Sequence, residues 1–196
     1  MMTQGTSAEI SLTNNSLRWT SADLALLPES NNRYEIIDGE LFVTRAPHWK
    51  HQTTCGRFFA VLDTWSVATK SGATAMNAGV IFGDHDDVIP DVVWVSQARY
   101  EALIDGAGHL LGAPDLVIEV LSAGTENEKR DRELKLKLYS SRGVLEYWIA
   151  DWREQQILVY RREQGVLKLA VTLFATDILT SPLLPEFACS VSEIFV

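Results

Sequence analysis

The sequence predicts a mixed α/β (α+β) fold, and three stretches predict it. Leu116 to Val120 and Val144 to Ala150 are short apolar runs of strand length, separated by a charged helical segment. Upstream, Tyr34–Ile37 and Glu40–Thr44 flank Asp38-Gly39, which suits a two-residue hairpin turn because aspartate and glycine tolerate positive φ. Downstream, Gln155–Tyr160 and Val166–Phe174 alternate as strands of a meander.

At 196 residues, 46% apolar and 22% charged, the chain suits one domain with a full core. Residues 1–19 are polar and read as a disordered tail, leaving 20–196 as a single domain. No apolar run approaches the ~20 residues of a membrane span. The N-terminus also lacks the basic and then apolar order of a secretory signal. Cys55 and Cys189 stand far apart without zinc spacing, so free thiols in a reducing cytoplasm are expected. A net charge of −9 argues against broad attraction to a polyanion, though not against a local site. From Lys129 to Arg142, six cations face Asp131 and Glu133, a local excess of four (6 − 2).

Thr20-Ser21-Ala22-Asp23 caps a short helix running to Leu27, stopped by Pro28. In the first hairpin strand Glu35 shares a face with Ile37. It sits either on a water-facing edge or turned inward toward a site. Pro47 to Lys70 reads as a turn and a helix, with Phe58, Leu62 and Trp65 at helical spacing. His51, near its start, is placed to cap the helix or to reach a phosphate or carboxylate. Ala73 to Phe82 reads as one strand. The acidic Gly83–Asp87 loop lacks the ligand alternation of a calcium loop and reads as a solvated turn. Pro90 to Val95 is a strand entered by Asp91, and Gln97 to Ile104 a helix. The loop from Gly106 to Gly112 lacks a phosphate loop's lysine and spacing, so no organic cofactor is expected.

In the run from Leu116 to Val120, apolar residues on both faces predict a strand buried on both sides. Glu119 is then a carboxylate at depth, where an unpaired charge is costly. Thr125 with Glu128 matches a capping box, and Gly143 can end the helix. Asp131, Lys135 and Tyr139 drift by only ~40° per step along one stripe beside Leu134 and Leu138. Lys135 can therefore bury its stem and send its amine to an acidic site. After Val166–Phe174, Pro182 and Pro185 break the pattern before a short C-terminal segment.

If their strands are neighbours, Glu35, Asp91 and Glu119 gather three carboxylates that repel one another unless a cation intervenes. Such oxygen ligands suit Mg²⁺ or Mn²⁺, which activate water and neutralise charge on a phosphodiester. Lys135 would orient that water, help to deprotonate it or steady the pentacovalent phosphate, and His51 would hold a phosphate or assist proton transfer.

Several pieces occur in order: Tyr34-Glu35-Ile36-Ile37-Asp38-Gly39-Glu40, His51, Pro90-Asp91-Val92-Val93, Pro114-Asp115 through Glu119 to Ser122, Asp131-x-x-x-Lys135-x-x-x-Tyr139, and Gly143-Val144-x-Glu146-Tyr147-Trp148. From about Thr20 to Val196 the string resembles the Uma-type family of bacterial restriction-endonuclease-like proteins. The resemblance implies the PD-(D/E)xK nuclease fold, a central mixed β-sheet flanked by helices. On the matching positions the metal-holding acids are Asp91 and Glu119, with Glu35 as the N-terminal acid. The general pattern places a lysine two residues after the second acid, where this chain has Leu121. Lys135 is the substitute from the helix; Lys137, turned ~200° away, is second choice.

The expected function is a Mg²⁺- or Mn²⁺-dependent endonuclease acting on DNA, as a homodimer because two strands need two sites. The rivals are a catalytically silent module of the same fold that binds nucleic acid or protein, and a nuclease for RNA or branched DNA.

Overall fold

The computed structural model describes residues 17–28, 32–122 and 124–195. Most of the expected N-terminal tail, 1–16, lies outside the described residues. Its last residues are held: Trp19 N donates to Gly39 O at 2.8 Å, and Arg18 pairs with Asp38.

A four-residue helix, α1 (Ser21–Leu24), starts at Thr20, whose hydroxyl and amide both donate to the Asp23 carboxylate. Strands β1 (Arg33–Ile37) and β2 (Glu40–Thr44) form the expected hairpin. Asp38 and Gly39 take φ of 50° and 76°, as a two-residue turn demands. A long helix follows, α2 (Trp49–Thr69), which buries His51, Thr54, Cys55, Phe58, Leu62 and Ser66 along one stripe.

The stretch expected as one strand, Ala73–Phe82, is two: β3 (Gly72–Met76) and β4 (Val80–Gly83), lying in different sheets. The left-handed Asn77, φ 52°, turns the chain between them, and alternation alone does not show such a break. β4 pairs with β5 (Asp86–Val88). The acidic loop is thus only partly a solvated turn, because Asp86 is buried, accepts from Asp38 N at 2.7 Å and pairs with Arg142. Next come β6 (Val92–Ser96), α3 (Gln97–Leu103) and β7 (Leu116–Val120).

The helical segment after β7 is not uniform. A first turn, α4 (Thr125–Lys129), passes into a π-helical stretch (Arg130–Lys135) and returns to α-helix in α5 (Leu136–Arg142), ended by left-handed Gly143. The capping-box expectation is corrected on one point: Thr125 is itself helical, and Glu128 pairs with Arg153. The chain then forms β8 (Glu146–Asp151), β9 (Gln156–Glu163) and β10 (Val166–Phe174). The proline-broken tail contains a hairpin, β11 (Ile178–Ser181) with β12 (Leu184–Ser190), and a last helix, α6 (Val191–Ile194). Pro182 falls in its turn, and Pro185 on a strand of this two-stranded sheet, where a missing N–H is tolerated.

The central sheet is mixed, in the order β10-β9-β8-β7-β6-β3, with β7 and β8 parallel and the remaining pairs antiparallel. A parallel pair needs a crossover, and the helical run 125–142 supplies it. β7 and β8 are buried at every position, as strands covered on both faces must be. On one face Phe58 and Leu62 of α2, Leu184 and Phe187 of the C-terminal hairpin, and Ile194 of α6 pack on Trp94, Ile118 and Trp148. On the other, Leu138 and Tyr139 of α5 join Ile37 and Val88 over Val93, Val117 and Ile149. Ile37 and Val88 lie on β1 and β5 of a second sheet, antiparallel, in the order β2-β1-β5-β4. No helix among the described residues is long and apolar enough to cross a membrane.

Candidate active site

The register of the central sheet puts two acids side by side. Val92 pairs with Ile118 across β6 and β7, so Asp91, just before β6, stands beside Glu119 near the end of β7. Val120 N donates to Asp91 Oδ2 at 2.9 Å and fixes that carboxylate against the strand carrying Glu119. From the second sheet, β1 delivers Glu35, whose Oε1 accepts from Ile89 N at 3.0 Å. The water-facing alternative for Glu35 is overturned: β1 lies between β2 and β5, and Glu35 is 1% exposed.

Lys135 joins the two sheets. Its Nζ lies 2.8 Å from Glu119 Oε1 and 3.0 Å from Glu35 Oε1, with the side chain fully buried. Tyr139 OH donates to the same Glu119 oxygen at 2.8 Å. Lys137, two residues beyond the π segment, is exposed, whereas Leu121 is buried in the core. His51 enters from the first turn of α2. Its Nε2 lies 3.2 Å from Asp91 Oδ2, and its Nδ1 3.5 Å from Cys55 Sγ. The cap of α2 is His48, whose ring accepts from Lys50 N, so His51 is free of that task.

Three further residues belong to the constellation and were not singled out as site residues from sequence. Arg33 Nη1 sits 3.1 Å from Asp91 Oδ1; the signal was its place two residues before Glu35 on one strand face. Asp131 and Tyr139 were visible as the i, i+4, i+8 companions of Lys135. Asp131 is buried, and its Oδ1 has no hydrogen-bond partner among the described residues, although Arg130 Nε lies 3.5 Å away. Asp131, Lys135, Asp91, Glu119, Arg33 and Arg130 all line one cavity of about 260 Å³.

The π segment helps explain this stripe. Bonds that close over five residues rather than four widen the turn, so positions four apart, such as Asp131 and Lys135, fall closer to one line. Tyr147 OH, from β8, donates to Asp131 O at 2.9 Å and pins the distorted turn to the sheet.

The electrostatics follow from burial. Burial raises Glu119, the Lys135 ammonium opposes that rise, and the nearby charges of Asp91, Asp131 and Glu35 add to it, leaving the carboxyl pushed up to about 8. Asp131 is raised to about 6, chiefly by burial, against the pull of Lys135 and Arg130. Asp91 goes the other way. Burial would raise it, but the His51 hydrogen bond and the charges of His51, Arg33 and Lys135 hold it well below the carboxylate range. Desolvation would strip Lys135 of its proton; Glu119, Glu35 and Asp131 outweigh that and hold it above the ordinary lysine value. Lys135 and Glu119 thus compete for protons. The ammonium keeps its own because two carboxylates lie within 3.0 Å, and Glu119 is the acid that takes up another.

Buried acids with one orphaned oxygen, lining one cavity, are the hard donor set that fits a small divalent cation. His51, Cys55 and Asp91 also bring one ligand atom each within 4.8 Å of one another. That set fits less well. The two histidine nitrogens face different partners, Nε2 toward Asp91 and Nδ1 toward Cys55, so one ring cannot turn both to a single ion, and a thiol is a soft donor beside the hard oxygens.

The chain matches the model of the Uma2 family, described as "Putative restriction endonuclease", over residues 21–192. It is similar in structure to a "putative nuclease belonging to DUF820" from Anabaena variabilis ATCC 29413. The TM-score is 0.71 at 22% identity, covering 90% of this chain and 97% of that one. A likeness at that identity shows the shared fold. The type IIG restriction endonuclease BpuSI aligns at a TM-score of 0.39 and 15% identity, over 74% of this chain and 15% of that one. No curated protein matches.

Proposed function

The chain belongs to the Uma2 family, and from that premise we propose that it is a divalent-metal-dependent endonuclease hydrolysing DNA phosphodiester bonds at the Asp91–Glu119–Lys135 centre. The observation that carries the reading is Lys135 Nζ at 2.8 Å from Glu119 Oε1 inside the acid-lined cavity. A lysine beside an acid pair is suited to orienting a water and stabilising charge on a phosphodiester, and here the helix delivers it in place of Leu121.

Asp91 and Glu119 would hold Mg²⁺ or Mn²⁺, with Glu35 as third acid and Asp131 as a further oxygen donor. When bound, such an ion neutralises phosphate charge and makes water a stronger nucleophile near neutral pH. Lys135, held protonated by its carboxylates, serves as a donor that orients the attacking water and steadies charge growing on the phosphate. It is not the base. His51 and Arg33 grip Asp91 from two sides and hold its oxygens in place. Cutting both strands of a duplex calls for two such centres, which a homodimer supplies.

Plasmid cleavage in Mg²⁺ or Mn²⁺ tests the reading, with Asp91→Ala and Glu119→Ala alongside. Nicking or linearisation by the parent and its loss in both variants is expected. Cleavage that survives both substitutions removes the assigned centre. Specific DNA binding with neither metal uptake nor cleavage would identify a binding module built on the nuclease fold.

A further inference from the structure

The linker after β2 and the first turn of α2, residues 45–51, supply Arg45, Ala46, Pro47 and His51 to the wall of the active cavity. Between these, His48, Trp49 and Lys50 are exposed, Trp49 to 80%. These three form part of a surface. The His48 ring stacks on Trp152 with centroids 5.0 Å apart and planes within 4°. Lys50 Nζ lies 5.7 Å from the Trp152 ring centroid. Trp152 is itself anchored, donating through Nε1 to Leu121 O at 3.1 Å, directly after the strand that carries Glu119. The aromatic surface is therefore fixed to the strand holding a site acid.

Its charge is as informative as its rings. In a chain of net charge −9, residues 45–50 contain Arg45 and Lys50 and no acid. The first turn of the 21-residue α2 is also free of acids, so its amide dipoles add to the positive field. Aromatic rings interleaved with cations suit one partner chemistry well: a polyanion whose flat bases stack on the rings while its phosphates meet the cations. Bases inside a duplex are already stacked on each other and cannot use such a surface.

We infer that this lip binds an unpaired stretch of DNA next to the cleaved bond, with bases stacking on Trp49 and on the His48–Trp152 pair. The preferred substrate then has single-stranded character, such as a flap, an overhang or a melted end, rather than a blunt duplex. The link to cleavage rests on the nuclease reading; the binding does not. Trp49 sits ~200° around α2 from His51, so a strand leaving the cavity passes Arg45 and crosses the helix N-terminus to reach it.

The test is fluorescence anisotropy of the full chain, without divalent metal, on a fluorescein-labelled mixed-sequence DNA strand of about 16 nucleotides and on its blunt duplex. The strand is expected to bind more tightly than the duplex. Trp49→Ala should weaken strand binding about 5- to 150-fold, the range for losing one stacked base, and leave the duplex nearly unchanged. Trp49→Phe, which keeps a ring, should restore most of it. His48→Asn keeps an acceptor to cap α2 while removing the stacked ring, so a loss there is not a folding artefact. Unaltered strand affinity in Trp49→Ala and His48→Asn overturns the inference, as does equal weakening of strand and duplex. Trp49-dependent binding without any plasmid cleavage would sustain the lip and reject the nuclease reading; cleavage with no dependence on Trp49 would do the reverse.

Discussion

Lys135 and Glu119 lie 16 positions apart in sequence, yet their Nζ and Oε1 atoms meet at 2.8 Å in the protein interior. The contact ties the crossover helix to the central strand, and through Glu35 it ties both to the second sheet.

Lys135→Met tests how much that junction supports. Removing one partner leaves two buried carboxylates without their cation, a change that costs about 3–5 kcal/mol in comparable buried pairs. Urea titration should show a loss of that size, and cleavage should fall by at least about 100-fold. A stability loss below about 1 kcal/mol would show that the junction is not structural.

Glu119 sets a pH dependence whose sign is opposite to that of an ordinary salt-bridged acid. Its carboxyl titrates near 4.5 in the unfolded chain and at about 8 when folded, so the folded state holds a proton that the unfolded state releases. Stability from this group therefore falls as pH rises between those values. Asp131, raised from 3.8 to about 6, acts the same way at lower pH. Asp91, held low, contributes stability above the ordinary carboxylate range that is lost as acid protonates it. In EDTA, the melting temperature of Glu119→Gln relative to the parent should rise as pH goes from about 5 to about 9. A constant difference across that range contradicts the raised Glu119.

Cation binding must then displace protons. Calorimetric titration with Mn²⁺ near neutral pH, run in two buffers of different ionisation enthalpy, should reveal net proton release. Asp91→Asn should weaken uptake by at least about 10- to 100-fold, provided its melting curve shows a folded protein. Uptake without proton release would place the cation away from Glu119.

The π segment makes a third variant informative. Tyr147→Phe removes the hydroxyl that donates to Asp131 O and with it a buried hydrogen bond, at a cost of about 0.5–1.5 kcal/mol. Because Asp131 and Lys135 share that segment, cleavage should drop as well, more through kcat than through KM. A stability loss with unaltered cleavage would show that the distortion is only structural.

Much of this arrangement was legible in the chain itself. The hairpin at Asp38-Gly39 followed from turn chemistry, and the doubly covered strand at Leu116–Val120 from apolar residues on both faces. Lys135 was singled out by its helical stripe and by the gap at Leu121. What escaped depends on long-range packing. A π segment reads like any helix because its apolar spacing is nearly the same, and the break at Asn77 has no signal in strand alternation. The β11–β12 hairpin was hidden by Pro182 and Pro185, which suit a turn and a small two-stranded sheet but look like breakers of regular structure. Arg33 and Asp131 were within view of the motifs; only their contacts, with Asp91 and with an empty hydrogen-bonding position, mark them as members of the site.

The most direct test of the central claim is the anomalous scattering map of a crystal soaked in Mn²⁺. The account predicts one peak within about 2.0–2.6 Å of oxygens from both Asp91 and Glu119, the range of hard-cation bonds. A peak held by His51, Cys55 and Asp91 with Glu119 still bound only to Lys135 and Tyr139, or no peak in the cavity at saturating Mn²⁺, would contradict it.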